Sequence, residues 1–559
     1  MRIRDRFCLG FHRTVIYAFT VMICFVLILL LFCSKLTDYS YKRSFLAGNI
    51  LLLGGGIVAA ACLVLFRKKC GRILGKMCRD STSTIRKLTL FLIPVQIYIC
   101  YNAYFYTEWD VAMIIRETFC VVEGKPLTSV PYFSIYPNNI LLLAVFSLIK
   151  KVDLYFGILD VQEGIMGIVC VQCVVSGVTG YMLFQILKEL AGEWGAWLGW
   201  ICYLVLVGSS GWLMIPYSDS MGLFFPTALL FLYGKIRSGK YVRLNCLGVG
   251  TLAFLGYHIK PQILITFIAM TAVELFLHRT CIGENMQESG DLRKSKAGAG
   301  FSEAIEGGQG KKGGIERQRK EIRLLGRGIW YVLAGGLLAA VLNGFLVRDI
   351  ARQLDGEKAF GPAHFVMMGL NTEKNGAYLE SDVNFSQSFA TKAERTRGNL
   401  EVIGQRLNDM GGPGLGMHCV RKLLTNYGDG TFAWRQEGNF FSYIYEQKNQ
   451  FISPALRNII WGDGAANAVN ETLKHGIWLC LLAASLGALG YRKQANPALC
   501  LVLLAIMGLT LFGLIFEARA RYLYIYVPFY IISGVLGARK IVTDLLEALD
   551  KHGNMDIMK

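Results

Sequence analysis

The chain has 559 residues, 53% of them hydrophobic and 18% charged, with a formal net charge of +18. A soluble protein of this size carries about 25% charged residues; here the charges are bunched between long apolar runs, which excludes an ordinary soluble enzyme. The basic excess lies in short loops between those runs, which excludes nucleic acid as the partner and fits the positive-inside bias of a membrane protein.

A bilayer core takes about 20 apolar residues per helix. The first such run, 14–34, follows Arg2, Arg4, Arg6 and Arg13, and no small-residue cleavage site comes after it. It therefore reads as a span with a cytoplasmic N-terminus rather than a signal peptide. A second run, 46–66, returns to a loop carrying Arg67, Lys68, Lys69, Arg72, Lys76, Arg79, Arg86 and Lys87. Span 88–106 then delivers Thr107-Glu108-Trp109-Asp110 to the outer face. The apolar stretch 139–149 is short for a crossing. If it crossed, Lys235, Arg237, Lys240 and Arg243 would end outside and every later basic loop would be inverted. It is read instead as lying on the outer surface or dipping into it.

Further spans follow at 162–187, 194–212, 221–234, 243–259, 261–278, 329–347, 473–490, 497–515 and 522–538. The expected fold is an all-α polytopic membrane protein of about twelve transmembrane helices. Residues 1–87 form an added hairpin and basic cytoplasmic loop. Residues 88–347 form a core with a first outer loop, 107–161, and a flexible cytoplasmic loop, 279–328, rich in Gly, Lys, Arg and Glu. Residues 348–472 form an ordered, α-rich external capping region, helical around 390–408, with a turn signal at Gly411-Gly412-Pro413-Gly414. Residues 473–559 supply the last helices and a cytoplasmic tail.

The polar residues of interest fall at the outer surface, and each has a plainer reading beside the functional one. Glu108 and Asp110 open the first outer loop, where a carboxylate at the end of a span serves as general base or as a solvated helix end. The loop runs on to Tyr136-Pro137-Asn138-Asn139. Asp219, in Pro216-Tyr217-Ser218-Asp219-Ser220, is a site residue or a helix N-cap. His258 and Lys260 sit at an outer turn, where an ammonium meets a phosphate or snorkels to lipid headgroups. Glu517, Arg519 and Arg521 open the last span; guanidinium forks suit phosphate groups, and a bland interfacial anchor with Tyr522, Tyr524 and Tyr526 has the same composition. In the external region, His364, Asn371, Asp382 and the run Gly428-Asp429-Gly430-Thr431-Phe432-Ala433-Trp434 suit sugar binding or a small core equally. There is no Walker loop, no H-E-x-x-H and no Ser/His/Asp order.

Most of the sixteen cysteines lie in apolar spans and act as small hydrophobes. Cys170 and Cys173 form a C-x-x-C inside a span with no second pair. Cys120 and Cys419 both fall outside, which permits a disulfide.

An acidic residue after an early span, Tyr136-Pro137-Asn138-Asn139, Pro216-Tyr217-Ser218-Asp219, Ile259-Lys260-Pro261-Gln262, and Arg521-Tyr522 with Pro528 behind it recur in this order. With these runs the chain resembles the GT-C superfamily of membrane glycosyltransferases over residues 88–540, and most of all the bacterial relatives of protein O-mannosyltransferases and of lipid A aminoarabinose transferase. The resemblance implies inverting transfer of a sugar from a polyprenyl-phosphate donor to a glycan, lipid or protein acceptor outside the cytoplasm. It implies Asp110 as the base, with Glu108 second, Asp219 as the turn aspartate, and donor-phosphate contacts at Lys260 and Arg521. Two departures stand out. Trp109 separates Glu108 from Asp110, where many relatives carry adjacent acids, and Tyr136-Pro137-Asn138-Asn139 replaces the His-Pro-Pro run of the mannosyltransferases. They leave open the identity of the base and a requirement for a divalent cation. The rival readings are a lipid-linked sugar flippase or transporter, which calls for charge pairs near the midplane and a repeat relating two halves, and a non-catalytic polysaccharide-assembly protein.

Overall fold

The computed structural model describes residues 3–34, 45–65, 80–157, 165–277, 324, 326–434, 437, 441–444 and 446–556. All but the last few residues of the expected loop 279–328 lie outside the described residues.

Helices α1 (Ile3–Phe32), α2 (Asn49–Leu65) and α3 (Ser81–Ala103) come first. Asp80 caps α3 by accepting from the Ser83 amide at 3.1 Å. Then come strand β1 (Phe105–Thr107), α4 (Trp109–Val122), α5 (Val130–Ile135) and α6 (Ile140–Phe156). Helix α7 (Met166–Tyr203) is continuous by hydrogen bonding but doubles back at Gly192, whose φ of 78° and ψ of −178° only glycine adopts readily. Its two arms pack on each other, with the Phe184 and Trp197 rings 5.0 Å apart and the Tyr203 hydroxyl donating to the Ser176 carbonyl at 2.8 Å. Next are α8 (Ser218–Gly222), α9 (Phe224–Arg237), α10 (Val242–Ile259), α11 (Leu264–Phe276) and α12 (Gly328–Ala351).

Region 348–472 holds α13 (Pro362–Gly369), α14 (Glu380–Gln387), α15 (Lys392–Tyr427), β2 (Phe441–Ile444) and α16 (Ile452–Ile460). The expected helix around 390–408 is the first part of α15. The glycine-proline run does not end it but bends it, at Gly411 with φ 58°. The chain closes with α17 (Ala465–Ser485), α18 (Pro497–Ile515) and α19 (Val527–Asp556). The all-helical expectation needs one amendment: β1 and β2 pair antiparallel, with Phe105 opposite Ile444.

Among the described residues, seven helices are long and apolar enough to cross a membrane: α1, α3, α7, α12, α17, α18 and α19, several with short extensions. Two shorter apolar helices cover Asn49–Cys62 and Pro261–Phe276. The difference from the expected dozen has a physical source: α7 joins two expected spans, and α9 has only 14 residues.

Contacts at the helix termini define two ends of the bundle. At one end Lys188 donates to Ser81 and Thr82 (2.7 and 2.9 Å), Lys235 pairs with Glu189 at 3.1 Å, Arg539 donates to the Leu190 carbonyl and Arg13 to the Arg492 carbonyl. Among the described residues, Arg13, Lys188, Lys235 and Arg539 therefore gather on one side. At the other end the Tyr217 amide donates to Gln172, Lys474 to the Ser209 carbonyl and Gln262 to the Tyr522 carbonyl. Helix α6 begins at this second end, where Asn139 donates to the Tyr132 hydroxyl. It also finishes there, with Asp153 against Gly167 at the start of α7. The segment read from its length as non-crossing starts and ends on one side.

Helices α10 and α12 meet backbone to backbone. A Cβ on Gly250 would strike the Val332 carbonyl, and one on Gly335 the Leu247 carbonyl, while Thr251 donates to the Gly335 carbonyl at 3.1 Å. Small residues let apolar helices approach this closely where no hydrophobic effect drives them together. Gly335→Val is expected to cost about 2 kcal/mol by overpacking. It should lower the apparent Tm of the detergent-solubilised protein, with Gly344→Ala, which has open space around it, as the neutral control. Equal Tm values for both variants would rule out the contact.

Candidate functional site

Pairing of β1 with β2 turns the chain sharply at the end of α3, and α4 starts at once. Trp109, its first residue, has a φ of 58°, an unfavourable left-handed backbone for a side chain of that size. Asp110 follows in the first turn of α4 and is half-buried. Its Oδ2 accepts from the Tyr217 hydroxyl at 2.8 Å, and the Trp109 ring meets the Tyr217 ring edge-on at 5.0 Å. Burial first, then the charge of Asp110, pushes the hydroxyls of Tyr132 and Tyr217 well above their usual pKa range. Both keep their protons, so both face the carboxylate as donors.

Cations come to the same place from two other segments. The Arg521 guanidinium lies 4.8 Å from the Trp109 ring, 5.4 Å from Tyr217 and 5.8 Å from Tyr522. Lys260 forms a buried ion pair with Asp219 and sits 4.7 Å from the Tyr522 ring. Burial, opposed in part by Asp219, lowers the Lys260 pKa to about 8. Arg519 pairs with Glu517 at 2.8 Å and with Glu437 at 3.2 Å, and Glu437 also lies 3.2 Å from Arg521. The Tyr522 hydroxyl donates to Glu517 at 2.6 Å. Burial pushes the Glu517 carboxyl up, but Arg519, Tyr522 and Arg521 outweigh it and hold it below the usual carboxylate range.

Asp110, Asp219, Lys260, Glu517, Arg519 and Arg521 are thus one contiguous cluster, although they come from widely separated segments. Asp219 does not cap the helix that follows: it lies inside the first turn of α8, one oxygen facing Lys260 and the other buried without a hydrogen-bond partner. Tyr136 borders the cluster between the Tyr132 and Phe360 rings, at 5.3 and 5.6 Å.

The remaining candidates stand apart. Glu108 is exposed at the N-cap of α4 and makes no capping bond. Asn138 is exposed and donates to its neighbour Asn139. His258 stacks on Phe254 at 4.3 Å, its Nδ1 3.0 Å from the carbonyl of that residue. His364 is fully buried in region 348–472, bonded to Ser386 at 2.7 Å, and burial lowers its pKa to about 4. Asp382 is clamped by both terminal nitrogens of Arg406. Phe432 and Trp434 are core rather than a sugar platform: Trp434 donates to the Ile460 carbonyl, and Trp212 donates to the Phe432 carbonyl.

Trp109 and Tyr217 lay within quoted runs, but only as neighbours of charged residues, and Tyr132 lies just before the run Tyr136-Pro137-Asn138-Asn139. Glu437 had no local signal. Among the described residues, no group of three or more His, Cys, Asp or Glu is placed to hold a metal ion. Cys120 and Cys419 are free thiols, so no disulfide joins them. Of the C-x-x-C pair, Cys173 lies 3.9 Å from Cys100, not bonded to Cys170.

No curated protein and no solved structure matches the chain. A family model described as a conserved hypothetical integral membrane protein matches residues 9–542, which takes in nearly every helix above and the whole of the polar cluster. The chain belongs to that family of integral membrane proteins.

Proposed function

We propose that the protein is a membrane glycosyltransferase of the GT-C type. In this reading it moves a sugar from a polyprenyl-phosphate donor to an acceptor on the extracytoplasmic side, with the cluster around Asp110 as its active site. One observation carries the reading: a half-buried carboxylate and a guanidinium share the same two aromatic neighbours, since Tyr217 donates to Asp110 while Arg521 lies over Tyr217 and Trp109. Asp110 takes the proton of an acceptor hydroxyl as its oxygen attacks the anomeric carbon from the face opposite the phosphate. The bond from that carbon to the phosphate oxygen breaks with inversion, and polyprenyl phosphate leaves with its charge stabilised by Arg521 and Lys260. Because the lipid tail stays in the bilayer, the site belongs at helix ends, where this cluster lies. The described basic residues at the opposite end, Arg13, Lys188, Lys235 and Arg539, support placing that end and both termini in the cytoplasm. Counting the two arms of α7 separately and adding the short α2, α9, α10 and α11 to the longer helices brings the apolar segments to about twelve, which supports about twelve crossings.

The test uses purified protein in liposomes with radiolabelled polyprenyl-phosphate mannose or glucose and a mixed envelope-glycan acceptor. Transfer with release of polyprenyl phosphate is expected. It should decline as the pH rises through about 8, where Lys260 loses its charge while the arginines keep theirs. Lipid moving between leaflets with no sugar released would replace this reading with the flippase.

A further inference from the structure

Among the described residues, the cluster contains three cations, Lys260, Arg519 and Arg521, and three buried or half-buried carboxylates in contact with them, Asp219, Glu437 and Glu517. These six charges cancel, even before Asp110 is counted. A phosphate cannot enter without leaving excess negative charge in a poorly solvated place, which is costly, so one carboxylate has to give way.

The three are not held equally. Asp219 is bonded directly to Lys260. Glu517 accepts from Arg519 at 2.8 Å and from Tyr522 at 2.6 Å. Glu437 differs: its Oε2 lies 3.2 Å from both Arg519 Nη1 and Arg521 Nε, yet neither contact is in line for a hydrogen bond. Glu437 Oε2 and Arg521 Nε are both buried without a hydrogen-bond partner. Oε2 therefore sits between the two guanidiniums by charge and not by a hydrogen bond. Its backbone hangs from Ala433, which with Phe432 forms two successive non-glycine residues at φ 58°. That conformation is unfavourable for a residue with a side chain.

We propose that Glu437 is a built-in stand-in for a phosphate: it fills the anion seat between Arg519 and Arg521 in the empty protein and is displaced when a phosphate group binds there. The inference rests on the reading of this cluster as the seat of a donor phosphate. It adds a gate, because the resting cluster is self-neutralised and opens only to a ligand that outcompetes its own carboxylate.

The test compares wild type and Glu437→Gln in nanodiscs, with Glu437→Ala as a second variant if the first folds poorly. Inorganic phosphate and polyprenyl phosphate are the probes, and binding is read from ligand-induced stabilisation. Removing the competing charge is expected to tighten phosphate binding about tenfold. Tightening for both probes identifies the phosphate group itself as what the seat reads; tightening for the lipid alone identifies a headgroup at the membrane surface. Unchanged or weaker binding of both probes overturns the proposal, leaving Glu437 as a residue that merely orients the arginines. Donor consumption measured in parallel keeps the two readings apart. Tighter binding without sugar transfer retains the seat and removes the transferase; transfer without tighter binding does the reverse.

Discussion

Asp110→Asn is expected to reduce sugar transfer about 10³-fold, within the range that a positioned general base contributes, while folded protein is recovered in the same amount. The substitution keeps the side chain's shape and its ability to accept from the Tyr217 hydroxyl. It removes the one property the mechanism needs, a lone pair basic enough to take a proton. Asp110 is half-buried rather than sealed, so an uncharged amide there leaves no buried cation without its partner: Arg521 keeps Glu437, and Lys260 keeps Asp219. The loss should appear in turnover, with donor binding little changed, because the base acts on the acceptor. A variant that retains full transfer would remove Asp110 from the chemistry and leave the cluster as a binding site only.

Lys422→Met is expected to have the largest effect on stability. Lys422 is fully buried on α15, and its ammonium donates to three carbonyls: Gly369 and Leu514 at 2.8 Å and Phe516 at 2.7 Å. Two of these belong to the last turn of α18 and the residue after it, where a helix leaves carbonyls without partners and favours a cation. The third ends α13. One side chain therefore ties region 348–472 to the segment that leads directly into Glu517, Arg519 and Arg521. Methionine fills nearly the same volume but leaves the Leu514 and Phe516 carbonyls unmet, while Gly369 keeps only its contact with His418 Nε2 at 2.9 Å, a cost of about 3 kcal/mol or more. The apparent Tm of the solubilised protein should fall clearly. A Tm matching wild type would mean the carbonyls find other donors and the anchor is dispensable.

Much of the architecture was legible in the sequence because it follows from local rules. Apolar run length located the helices, and the exclusion of 139–149 as a crossing agrees with an α6 that starts and ends at one side. The basic residues between runs marked one face, and Lys235 lies there, with Lys188 and Arg539 beside it. The reversal at Gly192 was legible too, since it falls in the polar link Lys188-Glu189-Leu190-Ala191-Gly192-Glu193 between the expected spans 162–187 and 194–212.

Charged residues at helix ends opposite the basic loops picked out most of the cluster, because a charge beside hydrocarbon is conspicuous in a row of apolar letters. The same reasoning over-reached with His258, Asn138 and His364. Each is polar near a turn, but whether a side chain faces the cluster, a neighbouring ring or a domain core depends on helix rotation and on packing partners far away in the chain. It also missed Glu437, a single acid amid aromatic and polar neighbours, which gains meaning only when brought to Arg519 and Arg521.

What the sequence determined by itself was the solvent this chain folds in: the spacing of apolar runs and the bias of basic loops dictate a helical membrane protein with its distinctive polar groups at one end. Only the tertiary structure decided which of those groups meet. Ion pairing and aromatic contact act over a few ångströms, and the segments that carry Asp110, Tyr217, Lys260, Glu437 and Arg521 are brought within that range by helix packing, which no local pattern encodes.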